Sequence, residues 1–131
     1  MILRTELRKL TQARLKDAEI LCANRRYAGA VYLCGYAVEL ALKARICQTL
    51  KWAGFPETRH EREGYSNFMV HNLEVLLHLS GVEKRIKAQY LSEWSIVTKW
   101  DPELRYQPIH QTTRQHALDM LNAVAILTRA L

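Results

Sequence analysis

The sequence predicts an all-α fold, an antiparallel up-and-down bundle of four main helices plus one shorter helix. Three observations carry that expectation. Apolar residues recur at three- and four-residue spacing along most of the chain. Three prolines and five glycines leave few sites for β-turns. The segment from Tyr27 to Lys51 is apolar on nearly every side, as expected of a stave buried all round.

The first helix is expected from about Leu3 to Ala23, with Leu3, Leu7, Leu10, Leu15, Ala18, Leu21 and Cys22 on its buried side. Arg4, Arg8, Lys9 and Lys16 take the other side. Asn24-Arg25-Arg26 is long enough only for a tight connection, so the second helix returns antiparallel. That helix spans about Tyr27 to Lys51, and its small residues Ala28, Gly29, Ala30 and Gly35 suit close approach of a neighbour. Trp52 to Tyr65 has no hydrophobic period and reads as an exposed, mobile loop. Ser66 or Asn67 caps a short third helix ending near Leu79, before Ser80-Gly81. A fourth runs from Val82 to Lys99 or Trp100, with Ile86, Tyr90, Trp94 and Val97 in phase. Asp101 to Gln111 holds two prolines and cannot be one continuous helix. Thr112 and Gln115 form a capping-box pattern that opens the last helix, which has Ala117, Leu118, Leu121, Val124, Ala125 and Thr128 inside.

At 131 residues the chain is expected to be one domain, residues 1–131, large enough for a real core. Glu39 and Lys43 interrupt the best apolar run, so no membrane partner is expected, and the N-terminus lacks the features of a secretory signal. Cys22, Cys34 and Cys47 match no zinc spacing, and their odd count argues against a disulfide framework. They read as buried reduced thiols of a cytoplasmic protein. A net charge of +6 favours an anionic partner such as RNA, DNA or an acidic protein surface.

The wording of the second helix, Tyr27-Ala28-Gly29-Ala30 followed by Tyr36-Ala37-Val38-Glu39-Leu40-Ala41-Leu42-Lys43-Ala44, is distinctive. His71-Asn72-Leu73 and Arg105-Tyr106 follow it in order. In these three motifs, and over about Leu3 to Leu127, the chain resembles the HEPN domains of bacteria and archaea. The resemblance implies a four- or five-helix bundle that forms a homodimer. It also implies one of two functions. Many such domains are metal-independent ribonucleases of toxin–antitoxin, CRISPR and phage-defence systems, with an arginine and a histidine near a late helix, four to six residues intervening. Arg105-Tyr106-Gln107-Pro108-Ile109-His110 fits that motif with four intervening residues. Others are non-catalytic partners of small nucleotidyltransferases, which modify a tyrosine two residues after the motif histidine. Thr112 holds that position here, which leaves a nucleotidyltransferase partner only as a binding interaction. Tyr106 follows the arginine where the catalytic families carry Asn, Asp or His.

The chemistry of the pair is coherent without metal or cofactor. RNA is cut when its 2′-OH attacks the adjacent phosphate, which needs a base, an acid and a cation for the phosphorane charge. Histidine suits the proton transfers. Arginine suits the phosphate, because its planar fork binds two oxygens. A symmetric dimer brings two copies to one cleft. The structural alternative makes Tyr106 a core anchor and places Arg105 in an ion pair.

Arg25 and Arg26, with Arg4, Arg8 and Lys9, are read as a basic end of the bundle that tracks RNA phosphates or serves as a solvated cap. Glu39 and Lys43 form an i,i+4 pair, and Glu39, among apolar neighbours, needs a cation. Arg105 and the first-helix arginines are the candidates. His71, Glu74 and His78 share a face of the third helix, but read as surface or interface residues rather than as a metal site. The aromatic residues Tyr27, Tyr32, Tyr36, Trp52, Trp94 and Trp100 read as core or dimer packing.

Overall fold

α1 (Arg4–Ala23) and α2 (Tyr27–Leu50) form the antiparallel hairpin that the short connection demands. The computed structural model describes residues 1–108 and 111–131. α1 buries Leu7, Thr11, Leu15, Ala18 and Cys22, one stripe at helical spacing. Its end is a Schellman turn: Arg26 N–H donates to the Leu21 carbonyl (2.8 Å) and Arg25 N–H to that of Cys22 (3.1 Å). Such a turn needs a left-handed residue, and Arg25 supplies it with φ 62°. α2 ends similarly at Lys51, with φ 57°.

α2 is the central stave. α1 packs against it, as do the later helices over Arg114–Ala130 and Leu73–Leu79 and a 3-10 turn at Pro102–Tyr106. Its fully buried positions include Ala30, Cys34, Ala37, Ala41 and Ala44, small side chains that let neighbouring backbones come close. Gly35 is the tightest case. The Trp100 indole lies where a β-carbon at 35 would stand.

The segment after α2 is exposed over most of Glu57–Tyr65, as expected from sequence, but its first residues are built into the fold. Gly54–Phe55 (β2) pairs antiparallel with Ile2–Leu3 (β1), Ile2 opposite Phe55. Trp52 packs against Tyr65 and Phe68, ring centroids 5.1 and 5.3 Å away. These aromatics are unevenly spaced, so they cluster without leaving a hydrophobic period. α3 (Arg59–Arg62) follows, opened by a reciprocal capping box between Thr58 and Glu61.

The third helix is shorter than expected. Ser66–Phe68 is a 3-10 turn, and α4 spans Leu73–Leu79 because the Asn72 side chain accepts the Val75 N–H (3.1 Å) and starts the helix there. The expected fourth helix is two: α5 (Glu83–Gln89) and α6 (Leu91–Val97), broken at Tyr90, whose φ of −131° is not helical. Ile86, Trp94 and Val97 are buried as their phase predicts. α7 covers Arg114–Ala130, and its cap is Thr113 rather than Thr112, accepting the His116 N–H (3.1 Å). Gln115 reaches forward to Asp119 (2.7 Å) instead of back to a cap. Ala117, Met120, Ala123, Val124 and Leu127 form its buried face, with Leu118, Leu121 and Ala125 only partly covered. The whole is an all-α bundle with one two-residue strand pair. Among the described residues, no helix is long and apolar enough to cross a membrane.

Candidate functional site

From Ala28 to Ala44, α2 is apolar except for one line of polar side chains. Tyr32, Tyr36, Glu39 and Lys43 follow at spacings of four, three and four, which puts them on a single face. Tyr32 and Tyr36 meet edge to face, centroids 5.1 Å apart, and their hydroxyls share a hydrogen bond of 3.4 Å. Tyr36 also stands edge-on to buried Trp100, 5.0 Å between centroids. The gap at Gly35 seats that indole and so sets the height of the line.

The Pro102–Tyr106 turn packs on α2 and brings Arg105 to the Tyr32 end of it. The turn forms locally: Pro102 cannot extend a helix backwards, and the Asp101 carboxylate accepts the Glu103 N–H (2.7 Å). Arg105 is exposed, and its guanidinium carbon lies 4.8 Å from the centroid of the Tyr106 ring. Tyr106 is 72% exposed, so it is a platform for the cation and not a core anchor. The Tyr106 and Tyr32 oxygens hold the guanidinium above its ordinary pKa. The Tyr32 phenol is pulled below its own ordinary value, first by the bond from Tyr36 and then by Arg105. Tyr36 is pushed up to about 12, by its bond to Tyr32 and by burial. Among the described residues, no carboxylate comes within ion-pairing distance of Arg105. His110, the other member of the expected pair, lies outside the described residues, as does Ile109.

Glu39, 3% exposed, keeps its i,i+4 neighbour Lys43 and takes its second contact from His71 rather than from an arginine. Its carboxylate contacts the His71 Nδ1 and lies 3.6 Å from Lys43 Nζ. Neither Arg105 nor an arginine of α1 is its partner. Lys43 also sits over the Phe55 ring, 5.3 Å from the centroid, which ties α2 to β2. Glu39 and Lys43 close the line at the end away from Arg105.

The four other arginines do not form one basic end. Arg4 and Arg8 open α1, whereas Arg25 and Arg26 follow its last turn, which over twenty residues is about 30 Å away. Arg8 is engaged too: it donates to the Leu131 carbonyl (3.0 Å) and to the Gln48 side chain (3.4 Å). Burial, then the nearby Arg45 and Arg4, lower its pKa. Arg25 and Arg26 instead line an open cavity with Tyr27 and Thr112, the latter two positions after His110 in sequence.

His71, Glu74 and His78 are drawn to three separate partners. His71 turns to Glu39, and His78 lies 3.6 Å from Glu83. Glu74 accepts from Lys87, from Trp94 Nε1 (2.9 Å) and from Thr98 (3.1 Å). The three cysteines are buried and free, and burial pushes the Cys34 thiol up to about 12.

Three contacts are not legible as such in the sequence: Tyr32 beside Arg105, His71 on Glu39, and Glu74 as a hub for α4, α5 and α6. The first had a signal. Four polar residues on one face of the otherwise apolar stretch from Ala28 to Ala44 mark where another polar element can lie. The other two join residues far apart in sequence and carried none.

Comparison with known families gives one match: the family model described as HEPN domain matches residues 6–131. No curated protein and no solved structure matches the chain.

Proposed function

The chain belongs to the HEPN domain family, and from that membership we propose that it is a metal-independent endoribonuclease acting through Arg105 and His110. The observation that carries this reading is the state of Arg105. Its guanidinium is exposed, held over Tyr106 and close to Tyr32, and no described carboxylate neutralises it. The one buried carboxylate near this face, Glu39, is already satisfied by His71 and Lys43. An arginine kept for an external anion has this form, and a structural ion pair does not.

In the proposed reaction the 2′-OH of one ribose loses its proton to a base and attacks the adjacent phosphorus. A pentavalent phosphorane forms, and its added negative charge rests on the Arg105 fork. The bond to the 5′-oxygen breaks as that oxygen takes a proton from an acid, leaving a 2′,3′-cyclic phosphate and a free 5′-OH. His110 serves as base and acid. A homodimer supplies one histidine for each proton transfer.

The test incubates the protein with single-stranded RNA in chelator, beside Arg105→Ala and His110→Ala. Each substitution is expected to lower the rate by about 10²–10⁴-fold. Absence of cleavage by the parent, or cleavage indifferent to both changes, overturns the reading in favour of a non-catalytic module that binds a nucleotidyltransferase or another protein.

A further inference from the structure

Three hollows run together across the end of the bundle where α1 turns into α2. The first, about 390 Å³, is lined by Arg25, Arg26, Tyr27, Ala28 and Thr112 among others. The second, about 170 Å³, shares Ala28 and Thr112 with it and reaches past Gln111 and His116 towards Leu104 and Gln107. The third, about 370 Å³, shares Arg25 and Tyr27 with the first and continues to Arg114. Shared walls make them one trough, which begins beside the turn that carries Arg105 and ends at the outer face of α7.

Its chemistry is cationic over a partly apolar wall that includes Leu21, Leu104, Leu118 and Leu121. Arg25, Arg26 and Arg114 are exposed, and among the described residues none is ion-paired. Glu19 is the one carboxylate among the residues lining it. Tyr27 is half-buried at the middle, with part of its ring open to the trough. Small residues, Ala28 and Gly29, keep the floor low.

Arg25 adds an independent observation. It occupies the left-handed position of a Schellman turn, where glycine is the usual and least strained residue. An arginine there costs stability, and the residue lines two of the three hollows.

Resting on the ribonuclease reading above, we propose that this trough binds the sugar-phosphate backbone of the single-stranded RNA flanking the cut. Arg25, Arg26 and Arg114 hold successive phosphates and Tyr27 stacks a base. Cations in a narrow track with an aromatic platform suit a flexible polyanion.

Binding is separated from cleavage by a probe that cannot be cut. A fluorescent single-stranded RNA of about twelve nucleotides, with 2′-O-methyl riboses, is titrated against the full chain by anisotropy over a range of salt. Replacing Arg25, Arg26 and Arg114 together by Ala is expected to weaken binding about 10- to 100-fold and to flatten the salt dependence by about two. Lys84→Ala, on the distant surface of α5, is expected to leave both unchanged. The proposal falls if the parent does not bind, if the triple variant binds within about two-fold of the parent with the same salt dependence, or if oligoglutamate of matched charge competes as well as RNA. That last result would assign the trough to an acidic protein. A parent that binds the probe but never cuts ordinary RNA removes the nuclease reading and leaves the trough standing. A parent that cuts, with a triple variant cutting equally well, removes the trough alone.

Discussion

Trp100 occupies the space that a side chain on Gly35 would need. The indole is 5% exposed and rests against the α2 backbone, where a β-carbon would overlap its ring atoms. Gly35→Ala must therefore push α2 away from the chain preceding the Arg105 turn. It is expected to cost about 3 kcal/mol, the upper end for overpacking a filled core. Urea denaturation measures it, and combining Gly35→Ala with Trp100→Leu should recover part of the loss. An unchanged midpoint for Gly35→Ala alone would contradict the packing.

The pairing of Glu39 with His71 and Lys43 gives an unequal pair of predictions. Glu39 is buried, so Glu39→Ala leaves a cavity and strands Lys43, whose side chain is only 18% exposed. A loss of about 3 kcal/mol is expected, as for breaking a buried ion pair from one side. His71 is 63% exposed at its side chain and can return to water, so His71→Ala should cost under about 1 kcal/mol. Equal costs would mean that the histidine, not the lysine, carries Glu39.

Acid should weaken the junction of α4, α5 and α6. Lys87, with Trp94 and Thr98, holds the Glu74 carboxyl below its ordinary 4.5. The folded state thus binds this proton less readily than the unfolded chain. The resulting stability is present above pH 4.5 and is lost as pH falls through the depressed folded value. Glu74 is 46% exposed at its side chain, so solvent screening limits the effect to under about 1 kcal/mol. Urea midpoints measured across that acid range should decline less for Glu74→Gln than for the parent. Parallel curves would sink the assignment.

Arg25→Gly should raise stability while harming binding. Glycine adopts the left-handed conformation of this turn without a β-carbon penalty, a gain of about 0.5–1 kcal/mol. If the arginine serves the trough, affinity for RNA drops in the same variant. A thermal melt and the anisotropy titration, run on one preparation, read both. A variant less stable than its parent would show that the Arg25 side chain supports the fold instead.

The helices were legible where periodicity is strong and local. The boundaries of α1 and α2 were read to within a residue or two, because an apolar stripe in one and an all-round apolar surface in the other leave little choice. Helix breaks were harder. Asn72 starts α4 by capturing one N–H, and Tyr90 divides α5 from α6, while the buried phase of Ile86, Trp94 and Val97 continues across the break and hides it. Thr112 and Thr113 are equivalent as caps in sequence, and only the hydrogen bond to His116 chooses between them. The aromatic cluster around Trp52 was illegible because its members are irregularly spaced and meet only in three dimensions.

By itself, the sequence determined the all-α class, the buried central helix and its hairpin with α1. These follow from propensity, periodicity and side-chain chemistry, which act over a few turns. Tertiary structure decided that His71 meets Glu39, what Arg105 rests on, and that Arg25 and Arg26 stand apart from Arg4 and Arg8. Those outcomes depend on which helix faces meet after packing, and a contact between residues thirty or seventy positions apart leaves no trace in local pattern.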